Sequence, residues 1–133
     1  MAISVRLFEN KPLEEYVLPK LLKIVRVKEK FNHTLINLPD TVEVIVFDCS
    51  FILPYRTIPM GIKKIFISLR HVSKEHISNL PVSVEEIIIK DIDGEMFLGA
   101  NDKKIMFGDI EEWKIPLNCV VLDMYGHIFY TRN

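Results

Sequence analysis

The chain has 133 residues, of which 49% are hydrophobic and 26% charged, and its formal net charge is −1. This composition is that of one globular domain with a core of its own. Lys and Arg are scattered along the chain, and no apolar run approaches the roughly 20 residues of a membrane span, so the sequence predicts neither a nucleic-acid partner nor a membrane partner.

The N-terminal segment, residues 1–17, is expected to form a brief cap. Residues 3–8 alternate well enough between apolar and polar side chains to predict a short strand. Residues 10–15 resemble a helix start, with Asn10 or Lys11 near the cap and Pro12 early in the first turn. Terminal segments of repeat folds need a partly polar cover, and we expect this segment to provide one.

A Leu-Pro or Ile-Pro pair occurs five times along the chain, and each time it precedes an apolar segment. The five pairs are Leu18-Pro19, Leu38-Pro39, Ile58-Pro59, Leu80-Pro81 and Ile115-Pro116. Successive pairs are 20, 20, 22 and 35 residues apart. The proline suits the start of a strand, where its missing N–H breaks no ladder hydrogen bond.

Three positions of every repeat are apolar: the fourth, seventh and ninth residues after the Leu or Ile that precedes the proline. They are Leu22, Val25 and Val27; Val42, Ile45 and Phe47; Ile62, Ile65 and Ile67; Val84, Ile87 and Ile89; Cys119, Leu122 and Met124. The seventh and ninth positions share one face of an extended chain, because strand side chains alternate. We therefore expect both rows to face the core.

Spacings of 20 to 22 residues lie within the range of leucine-rich repeats, in which each repeat adds one strand to a curved parallel sheet. The sequence therefore predicts a mainly β fold, a short leucine-rich-repeat-like solenoid in a single domain. After the cap, residues 18–92 would form four rungs. Residues 115–133 would form the last rung and a C-terminal cap.

The segment between them, residues 93–114, is open to two interpretations. Asp93-Gly94 lies between apolar segments, which is typical of a type I′ hairpin turn, so an inserted hairpin is one of them. The other is a divergent rung with Ile105 and Phe107 facing inward, although it would put Asp102 in an apolar row.

The C-terminal part is also expected to contain a hairpin. Gly126-His127 lies between residues 120–125 and 128–130, which are mostly apolar. This arrangement suits a two-residue type II′ turn. The hairpin would cover the last rung and protect its edge.

The repeat resembles a known family. The pattern Leu-Pro-x-Ser-Val-x-x-Ile-x-Ile at residues 80–89, together with Phe-Asn-x-x-Leu at residues 31–35, resembles the FNIP repeat, a short relative of the leucine-rich repeat found in social amoebae and in giant viruses that infect amoebae. The closest matches are Leu80, Pro81, Ser83, Val84, Ile87 and Ile89. Phe-Asn occurs only once and the twelfth residue after each repeat start is never Asn, so we expect a more irregular return path than the family pattern implies.

The sixth and eighth positions of each repeat face away from the core and are the candidate partner-binding residues. The candidates are Arg26, Val44, Val46, Lys64, Phe66, Glu86 and Ile88, and the same count places Val121 and Asp123 on this face. An apolar cluster with a charged rim is typical of a protein-binding site. In the alternative, the N-terminal segment or the inserted hairpin covers this face. Trp113 is a further candidate, either as an interface anchor or as a cap over the core.

No residue pattern predicts catalysis, a cofactor or a metal ion. His71 and His76 have no nearby Cys or further His to complete a zinc site. The acids of residues 91–95 lack the remaining ligand of a calcium loop, and the five glycines form no phosphate-binding loop. Cys49 and Cys119 would lie at least two rungs apart, too far for a disulfide, so we expect free thiols and a cytoplasmic protein.

Two functions are consistent with this pattern. The first is a non-enzymatic protein–protein interaction module that presents its sheet to a protein partner. The second is a structural subunit of a larger assembly, such as a minor component of a viral particle, which would self-associate or pack against its neighbours. The viral setting, in the host cytoplasm or the virion, is implied by the FNIP resemblance alone.

Overall fold

The computed structural model describes residues 2–48, 58–68, 80–91 and 115–133. In these ranges the protein is mainly β, as predicted. The elements are β1 (Ile3–Leu7), a single 3-10 turn (Leu13–Glu15), β2 (Leu22–Lys28), β3 (Val44–Asp48), β4 (Lys64–Ile67), β5 (Glu86–Ile89), β6 (Val120–Asp123) and β7 (Ile128–Thr131). The predicted hairpin or rung at 93–114, Trp113, Cys49, His71 and His76 lie outside the described residues.

The seven strands form one sheet in which spatial order follows chain order, from β1 at one edge to β7 at the other. Strands β1 to β6 are parallel, and β7 is antiparallel to β6. Each chain segment between two parallel strands returns to the start of the next strand, so one strand is added per coil. This arrangement confirms the predicted solenoid.

The core lies on one face of this sheet. The row formed by Val25, Ile45, Ile65, Ile87 and Val121 runs in register across five strands, and each of these side chains is at most 1% exposed. The return path contributes as well, because Phe31 and Leu35 are fully buried. Complete burial of one such side chain stabilises the fold by about 1.5 to 3 kcal/mol.

Four of the recurring prolines, Pro19, Pro39, Pro81 and Pro116, begin a tight turn that leads into the next strand. The N–H of the residue three positions later donates to the proline carbonyl, as Val42 does to Pro39 at 3.1 Å and Val84 does to Pro81 at 3.1 Å. The third residue of the turn determines its geometry. Asn118 has a φ of 67° at this position, in the left-handed region that suits Asn and Gly in type II turns.

Neighbouring turns are joined by hydroxyl groups at that same third position. Ser83 Oγ donates to the Ile62 carbonyl at 2.8 Å and accepts from the Gly61 N–H at 3.0 Å. Thr41 Oγ1 donates to the Lys20 carbonyl at 3.2 Å. The Ser of the Leu-Pro-x-Ser motif therefore holds one rung to the rung before it.

The N-terminal segment forms a rung of its own. The predicted strand is confirmed as β1, which pairs in parallel with β2. The predicted helix is wrong, because only a 3-10 turn forms at Leu13–Glu15 and the chain is extended at both Pro12 and Tyr16. Leu13 is buried in the core, and the Tyr16 hydroxyl donates to the Glu9 carbonyl at 2.6 Å, so side-chain packing holds this segment in a bend.

The last rung differs from the prediction by one residue. Val120 pairs with Glu86, which places Val121 and Asp123 on the core face and Leu122 on the opposite face. Cys119 directly precedes Val120, whereas Glu85 lies between the equivalent residue Val84 and Glu86. Because side chains alternate with a period of two, the missing residue exchanges the faces of the whole strand. The expected inward positions of Leu122 and Met124, and the outward positions of Val121 and Asp123, are therefore wrong.

The C-terminal hairpin is confirmed, but its turn is not the predicted two-residue turn at Gly126-His127. Four residues, 124–127, connect β6 to β7. The Asp123 N–H donates to the His127 carbonyl at 3.1 Å, which closes a turn of three residues, Met124, Tyr125 and Gly126. Gly126 has a φ of 91°, which the third residue of such a turn requires. A bulge between Val121 and Leu122 then lets two consecutive residues of β7, Phe129 and Tyr130, pack against the core.

Candidate functional site

The face of the sheet opposite the core, here called the outer face, carries the predicted partner-binding residues other than Trp113 in two rows. The central row contains Arg6, Arg26, Val46, Phe66, Ile88 and Leu122, which pair in register from β1 to β6. Sequence reasoning missed Leu122. An apolar side chain fits either face of the sheet, so its identity did not indicate that the last rung is one residue shorter before the strand. The structure therefore extends the apolar row to four consecutive strands.

The second row lies on the side of the central row from which the strands begin. It contains Ser4, Ile24, Val44, Lys64, Glu86 and Val120. Lys64 and Glu86 are neighbours, and their charged atoms are 3.2 Å apart. Both side chains are partly exposed, so this ion pair contributes less than about 1 kcal/mol to stability.

The apolar residues of the central row differ in how much surface they offer. Val46 and Ile88 are each only 5% exposed. Val46 stands between Arg26 and Phe66, and Ile88 between Phe66 and Leu122, on strands about 4.8 Å away, so neighbouring side chains cover most of their surface. Phe66 and Leu122 are half-buried, and they contribute most of the apolar surface that a partner could contact.

One of the two segments expected as a cover for this face lies elsewhere. The N-terminal strand pairs edge to edge with β2, while Leu13 and Tyr16 pack on the core side. The other segment expected as a cover, residues 93–114, lies outside the described residues.

A cluster of charges lies at the C-terminal ends of the strands on the outer face. Asp48 Oδ2 is 3.2 Å from Arg26 Nη1 and 3.2 Å from Lys28 Nζ, and Asp48 Oδ1 is 2.7 Å from Lys90 Nζ. Partial burial raises the pKa of the Asp48 carboxyl, but hydrogen bonds from Lys90 and Lys28, the charge of Lys90 and a hydrogen bond from Arg26 outweigh this effect and lower the pKa to about 2. Asp48 is therefore ionised at neutral pH and shared by three cations.

The described part of the outer face has an excess of positive charge. Its five cations are Arg6, Arg26, Lys28, Lys64 and Lys90, and its carboxylates are Asp48, Glu86 and Asp91, which accepts a hydrogen bond from Ser68. The excess is two positive charges, whereas the chain as a whole has a net charge of −1. This face therefore attracts acidic surfaces more strongly than the composition indicates.

Asp123 is a buried carboxylate that sequence reasoning placed on the wrong face. It is 1% exposed, and its oxygens accept hydrogen bonds from the Tyr125 N–H at 2.8 Å and the His127 N–H at 2.9 Å. Its Oδ2 is also 2.7 Å from His127 Nδ1. These contacts fix the turn between β6 and β7, which gives the residue a structural role.

The described residues show little that could support catalysis. Burial raises the pKa of the Cys119 thiol to about 12, so the thiolate that a nucleophile requires is not formed at neutral pH. Among residues 2–48, 58–68, 80–91 and 115–133, no group of three or more His, Cys, Asp and Glu side chains could hold a metal ion. The same ranges contain no helix with the length and hydropathy that a membrane span requires.

Comparison with known proteins adds no relative. No protein-family model, no curated protein and no solved structure matches the chain.

Proposed function

We propose that this protein is a non-enzymatic protein–protein interaction module that binds a protein partner through the outer face of its sheet. The observation that carries the proposal is the in-register apolar row Val46, Phe66, Ile88 and Leu122, with Arg26 next to Val46 and the pair Lys64 and Glu86 beside it. Apolar surface ringed by charged side chains is the usual composition of a protein-binding site.

We also propose that the repeats are FNIP-type relatives of leucine-rich repeats. Two features support this assignment. The Leu-Pro pair leads into a tight turn in successive rungs, and the hydroxyl three residues after the repeat start joins neighbouring turns at both Thr41 and Ser83. A cytoplasmic location is part of the same proposal, and the free, buried Cys119 is consistent with it.

A structural subunit of a larger assembly, such as a minor component of a viral particle, is the second candidate. The same apolar row would then pack against a neighbouring subunit. Among the described residues β1 pairs on one side only, which favours this candidate because a larger assembly can cover an edge strand.

Light scattering coupled to size-exclusion chromatography, over a range of concentrations, separates the two candidates. Wild type should be compared with Phe66→Glu and with Leu117→Glu, a control at a 65% exposed apolar position in the turn before β6, outside the two rows of the outer face. Monomers in all three samples support the interaction module. A wild-type oligomer that only Phe66→Glu converts into folded monomers supports the structural subunit.

Affinity capture with the same three proteins then tests the interaction module itself. We expect one protein to be enriched on wild type and on Leu117→Glu and to be reduced about tenfold or more on Phe66→Glu, as for loss of a central interface residue. Equal capture by all three baits would overturn the assignment of the outer face as the binding surface.

A further inference from the structure

Strand β1 forms one edge of the sheet and pairs on one side only. Its ladder runs to β2, and in the part of the chain that the structure describes no backbone hydrogen bond reaches Ile3–Leu7 from the other side. Alternate N–H and C=O groups of a strand point to opposite sides. About half of the backbone groups of β1 therefore point away from β2.

This edge lacks the devices that usually prevent further pairing. The ladder from Ser4 to Leu7 is regular, and the extra residue at the irregularity, Lys23, lies in β2. Strand β1 contains no proline and a single charged residue. At the opposite edge, by contrast, β7 is antiparallel to β6 and pairs with it across a bulge, which twists the edge and disfavours a further strand.

Arg6 supplies a specific charge at this edge. It is exposed, lies on the outer face and pairs in register with Arg26. The carboxylate of Asp48 is already shared by Arg26, Lys28 and Lys90, and within the described ranges Arg6 has no ion-pair partner. A carboxylate placed beside Arg6 would therefore meet a guanidinium group that no carboxylate of the described ranges contacts.

The other face of β1 is apolar. Leu7 is fully buried, Val5 packs against the core, and Ile3 is 41% exposed at the start of the strand. An added strand would place alternate side chains beside these three residues, where apolar groups would extend the core. The side chains between them would lie on the outer face, beside Ser4 and Arg6.

We propose that the edge of β1 accepts an extended segment of a partner protein as an additional strand. The segment has apolar side chains at alternate positions on the core side and an acidic side chain beside Arg6. Backbone hydrogen bonds supply most of the affinity, and the acidic residue supplies specificity. This inference goes beyond the proposed function, because it uses the sheet edge and does not depend on Phe66 or the rest of the outer face.

Fluorescence anisotropy with defined peptides tests the inference on the full chain. The probe is a labelled peptide of about eight residues with alternating Val and Thr and a central Glu replacing one Thr, which spans the five residues of β1. A second peptide has Lys in place of the Glu. Two further versions of the Glu peptide are N-methylated at alternate backbone amides, offset by one residue, so that only one of them blocks the bonds to β1.

We expect wild type to bind the Glu peptide about two- to fivefold more tightly than the Lys peptide, as an exposed ion pair allows, and Arg6→Glu to reverse this preference. One N-methylated version should lose binding, and the other should bind nearly as well as the unmodified peptide. Phe66→Glu should bind the Glu peptide as wild type does.

Several results would overturn the inference. Wild type could bind the Glu and Lys peptides with equal affinity, bind both N-methylated versions equally, or bind no peptide up to about 1 mM. Loss of binding in Phe66→Glu would also overturn it, because the peptide would then lie on the outer face. If wild type is a dimer that the Glu peptide dissociates, the strand that pairs with the edge of β1 belongs to a second copy of this chain. The reversed preference of Arg6→Glu also serves as its folding control, since an unfolded variant would bind neither peptide.

Discussion

The Nζ atom of Lys90 lies 2.7 Å from Oδ1 of Asp48, although Lys90 follows β5 and Asp48 ends β3, so that β4 lies between them. Lys90 also donates to the Phe47 carbonyl at 2.7 Å. The residue that follows β4 is Ser68, whose short side chain instead donates to Asp91 Oδ2 at 2.8 Å. A small residue on the middle strand therefore lets one lysine connect the strands on either side of it.

Asp48→Asn should lower the free energy of unfolding by about 1 to 2 kcal/mol at neutral pH, because three cations lose their shared carboxylate. The pKa of Asp48 in the folded protein, about 2, lies below its ordinary value of 3.8, so this stabilisation is complete above that ordinary value and is lost as the pH falls towards 2. Urea unfolding at several pH values measures it.

The difference in stability between wild type and Asp48→Asn should therefore shrink with acidification between about pH 5 and pH 2. Asp40→Asn, at an exposed position, is the matched control and should show no such change. A difference that is constant over this range would contradict the assigned role of Asp48.

Adjacent substitutions on β4 test which face of the sheet is buried. Ile65 is 1% exposed in the core, so Ile65→Glu should unfold the protein, at a cost above about 4 kcal/mol for an unpaired buried charge. Phe66 is half-buried on the outer face, and Phe66→Glu should cost only about 1 kcal/mol. Circular dichroism and thermal unfolding of both variants measure the contrast, and a folded Ile65→Glu protein would disprove the strand register.

Removal of the Asp123 carboxylate should loosen the C-terminal hairpin. Asp123→Ala leaves the N–H groups of Tyr125 and His127 without their acceptor, and the expected cost is about 2 to 4 kcal/mol. His127→Ala retains the backbone hydrogen bonds of the turn and should cost less, about 1 kcal/mol. Urea unfolding measures both. Met124→Ala, at a 54% exposed position of the same turn, should have almost no effect, and an equal loss there would contradict this role of Asp123.

The hydroxyl of the Leu-Pro-x-Ser motif should have a measurable effect on stability. Ser83→Ala removes both hydrogen bonds to the preceding turn, one to Gly61 and one to Ile62, and should cost about 1 to 2 kcal/mol. The neighbouring Val82→Ala, at a 79% exposed position, should be neutral. Ser83→Thr keeps the hydroxyl and should recover most of the loss in the same unfolding assay, so a failure to recover it would argue against the hydrogen bonds as the cause.

Two of the turn residues with positive φ, Gly61 and Asn118, should differ in their response to substitution. Gly61 has a φ of 104° and no atom within 4 Å of an added Cβ, so Gly61→Ala should cost about 1 kcal/mol through backbone strain alone. Asn118 has a φ of 67°, and Asn118→Gly should relieve this strain and change stability by less than about 0.5 kcal/mol. Thermal unfolding compares the pair, and an unchanged midpoint in Gly61→Ala would contradict the strained turn.

Much of the fold could be predicted from the sequence because two simple signals agree. The Leu-Pro pair marks where a strand begins, and apolar residues two positions apart mark which face is buried, as at Ile65 and Ile67. The rung formed by β1 escaped this reasoning because no Leu-Pro pair precedes it. Its only signal is the alternation that buries Leu7 and part of Val5.

The last rung shows where such reasoning fails. Residues 120–122 are Val, Val and Leu, which fit either face, so hydrophobicity could not reveal that one residue is missing before the strand. The only polar residue, Asp123, pointed to the wrong face, since its burial depends on partners in a turn that the sequence pattern did not identify. The prediction of the candidate site contained the same error, because it left Leu122 out of the residues on the outer face.

In the described ranges each strand pairs with the strands that precede and follow it in the chain. The partner of every new strand from β2 to β7 has therefore already been synthesised when that strand leaves the ribosome. The fold can therefore grow by addition to a finished edge during translation. The same arrangement tolerates copying errors in the gene. Duplication or loss of one unit of 20 residues, such as residues 38–57, would lengthen or shorten the sheet by one strand and would leave all other pairings of neighbours intact.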